Sequence, residues 1–127
     1  NGTIINVIGV GGRNATADFT IGGAVNAALF NFTKAMAQVG VKDGVRVNAV
    51  SPGAVETDRL RGRLSLLSRE WGVDLNEARK GLLEAMGLEH FGDPAEIGRL
   101  VAFLASHNSS YIRGAIIDID GGITHAI

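Results

Sequence analysis

Side chains that could carry nucleophilic or metal chemistry are few in this chain and lie far apart. The sequence has no cysteine, which excludes a thiolate nucleophile, a thiolate-bound metal and a disulfide framework. Its histidines, His90, His107 and His125, are scattered, with no carboxylate or second histidine at a ligand spacing, so no metal site is predicted. The remaining candidates are turns rich in glycine, whose backbone N–H groups can bind a ligand.

The first such turn covers residues 9–14, between an apolar run and a helical pattern. It approaches Gly-x-Gly-x-x-Gly, the pattern in which backbone N–H groups at a helix N-terminus bind a pyrophosphate. The third glycine is replaced by Asn14. A flexible turn at the end of a strand is therefore favoured over a phosphate site.

Three short, β-branched runs that stop at turn residues predict the strands that position these turns. They cover residues 3–8, 45–50 and 115–119. Their nearly continuous apolar character is typical of parallel strands buried on both faces. The second run is closed by Pro52 and Gly53, because proline stops the hydrogen-bond ladder and glycine allows a tight turn.

Helical periodicity fills the segments between the strands. Residues 19–39 carry apolar side chains at three- and four-residue steps, with Asp18 or Thr20 as the expected N-cap. Asp93, followed by Pro94 and by Glu96 three residues after the cap, predicts another helix start. The apolar stripe of the first helix consists of Ile21, Val25, Ala28, Leu29, Phe32, Met36 and Val39.

Residues 58–92 are more polar and contain two helical stretches, 60–71 and 75–86, without a strand signal. We interpret this segment as a helical insert that leaves the sheet and covers a substrate site as a lid. The order of elements is then strand, helix, strand, helical insert, helix, strand, with crossovers long enough for parallel pairing. The predicted fold is α/β: one half of a doubly wound parallel sheet, three-layered and Rossmann-like, in a single partial domain over residues 1–127.

Composition narrows the classes of function. The net charge of -1 provides no basic field for a phosphate backbone, so nucleic acid is not the expected partner. No apolar run approaches the ~20 residues that cross a bilayer, and no signal-peptide pattern opens the chain. We therefore expect no membrane partner and a cytoplasmic location.

Several blocks in order carry a resemblance to a known family. They are residues 44–53 (GVRVNAVSPG), Thr57, residues 92–97 (GDPAEI), residues 101–106 (VAFLAS) and residues 120–122 (DGG). Together they resemble the C-terminal half of a short-chain dehydrogenase/reductase. The resemblance implies a Rossmann fold of about twice this length that uses NAD or NADP to interconvert alcohols and carbonyls by hydride transfer. It further implies a small-molecule substrate and a homo-oligomer, either a dimer or a tetramer.

The family's catalytic serine, tyrosine and lysine have no equivalent side chains here. Matching the helix after the lysine places the three positions at Gly9, Gly22 and Asn26. Asn26 can still hydrogen-bond a ribose hydroxyl but supplies no positive charge. Phe19, one turn before Gly22, has no proton to donate and can at most form the wall of a pocket. Tyr111 falls in the family's approach to the last strand and is expected to pack rather than to catalyse.

The turn that contacts the cofactor in this family is more complete. The resemblance places the nicotinamide carboxamide against the backbone of Val55 and the hydroxyl of Thr57, in the turn that Pro52 and Gly53 begin. A backbone amide recognises a carboxamide independently of its own side chain. The alternative is a turn that serves only to shape the chain.

Two functions therefore remain open. The first is an NAD(P)-dependent oxidoreductase with an altered set of catalytic groups, and the second is a related protein that binds a dinucleotide or another ligand without hydride transfer. Among nearby polar groups, Asp18 could donate a proton only if its pKa were strongly raised. Because the first strand is apolar, we also expect its free edge to be covered by a preceding half of the protein or by another chain.

Overall fold

The computed structural model describes residues 1–125. Its strands are β1 (Gly2–Val7), β2 (Val45–Pro52) and β3 (Ile116–Ile119). Its helices are α1 (Thr20–Gly40), α2 (Asp58–Trp71), α3 (Leu75–Met86) and α4 (Pro94–Ala105), with 3-10 turns at Val10–Gly12, Ala17–Phe19 and His107–Ser109. The order of strands and helices is the one predicted from the periodicity.

The three strands form one parallel sheet in the order β1-β2-β3. Ala49 of β2 packs with Phe30 of α1, whereas Arg46, on the opposite face of the same strand, hydrogen-bonds the carbonyl oxygen of Leu104 in α4. Helices therefore cover both faces of the sheet. This three-layer arrangement confirms the predicted α/β, Rossmann-like fold class.

Arg46 is a buried cation that holds α4 against the sheet. Its side chain is 8% exposed, and it donates to the carbonyl oxygens of Leu104 at 2.8 Å and Ser106 at 3.0 Å. It also donates to the hydroxyls of Ser109 at 2.8 Å and Thr3 at 2.9 Å. The guanidinium thus satisfies carbonyls at the C-terminal end of α4, which a helix leaves without internal partners.

Helix α1 begins and ends as the sequence predicts, but its apolar stripe faces away from the sheet. Ile21 is 81% exposed and Val25 is 53% exposed, while the face toward the sheet buries Phe30, Thr33 and Ala37. Polar contacts fix this orientation, because Asn6 of β1 donates to the hydroxyl of Thr33 at 2.9 Å. A helix oriented by contacts with the strand can leave large apolar side chains outside.

The two predicted helix starts differ in outcome. Asp93 caps α4 as expected: its carboxylate accepts from the N–H of Ala95 at 2.9 Å, and the carboxylate of Glu96 accepts from the N–H of Asp93 at 3.0 Å. The prediction that Asp18 or Thr20 caps α1 is wrong. Phe19 occupies the N-cap position without a side-chain cap, because a 3-10 turn precedes the helix and includes Asp18.

Residues 58–92 contain α2 and α3 and have a small core of their own. Leu60, Leu64, Leu82 and Phe91 form this core, separately from the cluster of Ile8, Phe30 and Ala49 beneath α1. Both ends of the segment meet at one parallel bridge, Val55 with Gly92. We call this pair of chain segments, residues 54–57 and 91–92, the neck of the insert.

Candidate functional site

The site predicted from the sequence lies where β1 and β2 reach the same edge of the sheet. Val7 and Val50 are in register near the carboxyl ends of the two strands, so Gly9 and Pro52 follow at that edge. Asn26, on the face of α1 turned to the sheet, donates from Nδ2 to the carbonyl oxygen of Gly9 at 3.2 Å. The structure therefore brings Gly9 and Asn26 together.

Gly9 has room for a side chain, and Gly22 does not. A Cβ built on Gly9 would lie 3.5 Å from Nδ2 of Asn26, an ordinary contact. A Cβ built on Gly22 would lie 2.2 Å from Cζ of Phe19, and one built on Gly11 would lie 2.8 Å from the same ring. The phenyl ring is thus held between two glycines and fills the space next to Gly22, the position that the resemblance assigns to the family's tyrosine.

A cavity of about 390 Å³ opens beside this ring, between the loop that follows β1 and the first turns of α1. Its volume falls within the range of small-molecule pockets. Small side chains and glycines make up most of its wall. The lining consists of Gly11, Gly12, Arg13, Ala15, Thr16, Phe19, Thr20, Gly23, Ala24 and Ala27.

Two side chains considered as substitutes for the missing acid do not serve as one. Hydrogen bonding with the side chain of Thr16 lowers the pKa of Asp18, and Arg63 of α2 lowers it further; Asp18 is therefore ionised at neutral pH and cannot donate a proton. Tyr111 precedes β3, so it lies toward the edge of the parallel sheet opposite to Gly9. Its ring is fully exposed, so the expectation that it packs is wrong: the turn before β3 directs it to solvent.

The turn after β2 presents a backbone donor. In the neck, the N–H of Gly92 donates to the carbonyl oxygen of Ala54 and the N–H of Glu56 donates to that of Gly92, both at 2.9 Å. In such a parallel bridge the N–H and C=O of Val55 itself point away from Gly92. No acceptor for the N–H of Val55 occurs among the described residues, so this donor is available at the position that the resemblance assigns to the carboxamide.

Two other predicted binding residues, Thr57 and Gly53, make contacts within the protein that define their structural roles. Thr57 accepts from the N–H of Leu60 at 3.4 Å as the cap of α2 and donates to the carbonyl oxygen of Val55 at 3.3 Å. Gly53 lies against the C-terminal turn, because a Cβ there would lie 2.8 Å from Cα of Asp120. Gly53 therefore allows close packing of two chain segments, and Thr57 shapes the turn around Val55.

The donor set fits the neutral end of a nicotinamide dinucleotide. Val55 offers an N–H for a carboxamide oxygen, and Oδ1 of Asn26 accepts no hydrogen bond from residues 1–125, which leaves it free for a ribose hydroxyl. No lysine stands at the position of Asn26 to add a positive charge. The edge can therefore bind and orient such a group, but these residues do not hold a proton for transfer.

Sequence reasoning missed a second polar cluster at the same edge. Arg13, in the loop after β1, reaches Oδ1 of Asp118 in β3 at 3.5 Å and lies over the ring of Phe30 at 5.5 Å. Asn14 donates to the hydroxyl of Thr124 at 3.1 Å. These contacts hold the loop against the C-terminal segment. The contacts of Arg13 with Asp118 and of Asn14 with Thr124 join residues 105 and 110 positions apart in sequence, so no local pattern could have indicated these pairings.

Two features that could define a site are absent from residues 1–125. No group of three or more histidine, cysteine, aspartate or glutamate side chains is arranged to hold a metal ion there. No helix in that part of the chain has both the length and the apolar character to cross a membrane.

Comparison with known proteins identifies the family. A family model described as enoyl-(acyl carrier protein) reductase matches residues 1–124. The 3-oxoacyl-[acyl-carrier-protein] reductase FabG of Chlamydia muridarum is 34% identical over 124 residues, which are 97% of this chain and 45% of that protein. The chain thus spans less than half the length of this relative.

Solved structures show the same relation. L-sorbose reductase from Gluconobacter frateurii, in complex with NADPH and L-sorbose, superposes with a TM-score of 0.92 at 25% identity, over 99% of this chain and 48% of that one. An NADPH-bound short-chain oxidoreductase from Pseudomonas aeruginosa PAO1, described as containing an atypical catalytic centre, gives a TM-score of 0.84 at 28% identity, over 98% and 47%. With the family model that matches residues 1–124, these likenesses show that the chain belongs to the short-chain dehydrogenase/reductase family.

Proposed function

We propose that this chain is the C-terminal half of the dinucleotide-binding domain of an NAD(P)-dependent oxidoreductase that interconverts an alcohol and a carbonyl. The observation that carries the proposal is the N–H of Val55, which has no acceptor within residues 1–125, in a turn where the N–H groups of Glu56 and Gly92 are both engaged. The nicotinamide dinucleotide supplies the hydride when bound. Val55 and Thr57 hold its carboxamide end, and Asn26 holds a ribose hydroxyl.

The substrate in this proposal is a small molecule that enters between the loop after β1 and the insert. The cavity beside Phe19 provides the space. The insert then acts as a lid. The proton for the substrate oxygen comes from outside the positions of Gly9, Gly22 and Asn26.

A second function, dinucleotide or ligand binding without hydride transfer, is favoured by one specific observation. The ring of Phe19 fills the space beside Gly22, so this helix face presents a group that cannot exchange a proton. The part of the edge that binds a carboxamide does not depend on that proton. A protein with this edge can therefore bind the dinucleotide and transfer no hydride.

The experiment has two stages, both on the complete protein. Binding of NADH and NADPH is measured by fluorescence titration for the wild type, for Val55→Pro, which removes the N–H, and for the matched control Val55→Ala, which keeps it. We expect Val55→Pro to weaken binding about 2- to 10-fold, the range for one hydrogen bond, and Val55→Ala to bind as the wild type does. Equal binding by the two variants would refute the assigned role of Val55.

The second stage uses cofactor deuterated at the transferred position and a panel of ketones and aldehydes. Deuterium found in the alcohol product establishes hydride transfer and identifies the substrate class. Tight cofactor binding with no deuterated product across the panel refutes the oxidoreductase and supports the binding function. Failure of the wild type to bind either dinucleotide refutes the oxidoreductase and the dinucleotide-binding form of the second function.

A further inference from the structure

The insert is attached to the proposed cofactor turn by a contact other than its two chain connections. Arg79 of α3 forms a hydrogen-bonded ion pair with the carboxylate of Glu56 in the neck. Its guanidinium also lies 4.9 Å from the centre of the ring of Phe91. Arg79 thus contacts both segments of the neck, one through charge and one through an aromatic face.

The surroundings of this pair favour a fixed geometry over a fluctuating surface contact. Phe91 is 3% exposed and belongs to the core of the insert, so the ring beneath the guanidinium is immobile. The side chains of Arg79 and Glu56 are 39% and 36% exposed. Hydrogen bonding from Arg79 lowers the pKa of Glu56, so the carboxylate is ionised throughout the neutral range.

Glu56 lies between the two residues of the proposed carboxamide site. Its own N–H is committed to Gly92, and its neighbours are Val55 and Thr57. The peptide plane that carries the N–H of Glu56 meets the plane that carries the N–H of Val55 at the Cα of Val55, so a displacement of the backbone at Glu56 acts directly on the neighbouring plane that holds this donor. An ion pair that fixes Glu56 also fixes that donor.

We propose that Glu56 and Arg79 are positioning residues that hold the neck in the geometry needed to bind the nicotinamide end of the cofactor and that couple this end to the lid. The inference rests on the proposed dinucleotide binding and extends it. It predicts an effect confined to one end of the ligand, since the adenine end would be bound elsewhere in the domain. Loss of general stability would instead weaken both ends.

The test compares two ligands on the complete protein. NADPH or NADH, whichever the wild type binds more tightly, carries the nicotinamide, and the corresponding ADP-ribose, with or without the 2′-phosphate, lacks it. Fluorescence and calorimetric titrations give Kd for the wild type, Glu56→Gln and Arg79→Gln. We expect the neutral variants to bind the nicotinamide dinucleotide about 2- to 10-fold more weakly, as for one misplaced hydrogen bond, with the Kd for ADP-ribose unchanged.

Two further variants separate positioning from folding. Arg61→Gln removes an ion pair of the same insert, that of Arg61 with Asp58, whose side chains are 74% and 94% exposed; it is expected to bind both ligands as the wild type does. The charge exchange Glu56→Arg with Arg79→Glu restores opposite charges and is expected to recover part of the lost affinity. Affinity for the dinucleotide would not be recovered if residues 56 and 79 acted only through the size of their side chains.

Three results would overturn the inference. They are an equal loss of affinity for both ligands, unchanged affinity for both in Glu56→Gln and Arg79→Gln, and an equal effect of Arg61→Gln on the dinucleotide. If the wild type binds the dinucleotide and Glu56→Gln and Arg79→Gln bind both ligands with the same affinity as the wild type, this inference alone is refuted. A wild type that binds no dinucleotide refutes the proposed function and the inference together.

Discussion

Replacing Gly22 by alanine tests whether Phe19 occupies the space of the missing tyrosine. The new Cβ would lie 2.2, 2.4 and 2.7 Å from three atoms of the ring, whereas carbon atoms in contact stay about 3.5–4.0 Å apart. On its other side the ring already lies close to Gly11, where an added Cβ would be 2.8 Å from two ring atoms, so movement in that direction brings the ring against the backbone of Gly11. It must turn toward solvent and lose its contacts with both glycines.

The expected free energy follows from two opposing effects. Forced overpacking costs about 1–3 kcal/mol, and replacing a glycine inside a helix by alanine contributes about 1 kcal/mol. Gly98, inside α4 with no atom within 4 Å of its built Cβ, provides the matched control that shows only the second effect. We therefore expect Gly22→Ala to be about 1–3 kcal/mol less stable than Gly98→Ala.

Urea denaturation of the two variants, alone and combined with Phe19→Ala, measures this difference. Removing the ring should make Gly22→Ala as favourable as Gly98→Ala, so that Phe19→Ala and Gly22→Ala couple strongly while Phe19→Ala and Gly98→Ala add. If Gly22→Ala stabilises the protein as much as Gly98→Ala while Phe19 is intact, the ring does not occupy that space.

Three other predictions concern the site and the scaffold. Gly9→Ser, Gly22→Tyr and Asn26→Lys together should give carbonyl reductase activity only when Phe19→Ala is added; activity without that fourth change, measured by oxidation of NAD(P)H, would contradict the steric argument. Arg46→Met should lower the free energy of unfolding by about 2–4 kcal/mol, because several buried carbonyl and hydroxyl groups lose their donor. The control Arg113→Met, at an exposed hydrogen bond to Val45, should change it by less than about 0.5 kcal/mol. Similar urea midpoints for the two variants would refute the buried role of Arg46. Burial raises the pKa of Asp120, but hydrogen bonds from Thr124 and the N–H of Gly122 outweigh this effect and leave the pKa below its ordinary value. The ionised carboxylate therefore stabilises the fold above about pH 4, and this stabilisation is lost as the pH falls through the lowered pKa. The difference in stability between the wild type and Asp120→Asn should accordingly shrink between about pH 5 and pH 2, and a difference independent of pH would contradict the assignment.

The sequence predicts the elements of this fold well because their signals are local. Strand β2 ends at Pro52 because proline has no N–H to continue the hydrogen-bond ladder. Helix α4 starts after Asp93 because the Asp93 cap and Glu96 form a capping box within one turn. The orientation of α1 depends instead on the strand beneath it. A Cβ on Gly40 would lie 2.5 Å from the carbonyl oxygen of Val45, so small residues must face the sheet there and the apolar stripe faces outward.

The residues of the candidate site also differ in whether local sequence signals or tertiary contacts determine their positions. The positions of Gly9 and Asn26 could be assigned from sequence, because each occupies a fixed place relative to a strand or a helix. The contact of Phe19 with Gly22 depends on the 3-10 turn that precedes α1, and periodicity does not specify that turn. The pair of Glu56 with Arg79 depends on how α3 folds back on the neck, which follows from tertiary packing in the core that contains Phe91.

In the proposed function, binding the nicotinamide end and donating a proton depend on different parts of this edge. The N–H of Val55 and Oδ1 of Asn26 are neutral groups whose directions are set by the neck and by the contact with Gly9, so neither depends on what lies at Gly22. The phenyl ring beside Gly22 excludes an acid there and leaves the binding groups as they are. The two proposed functions therefore share one cofactor site and differ in whether a proton donor allows the reaction to proceed. Product formation, and not cofactor affinity, distinguishes them for this reason.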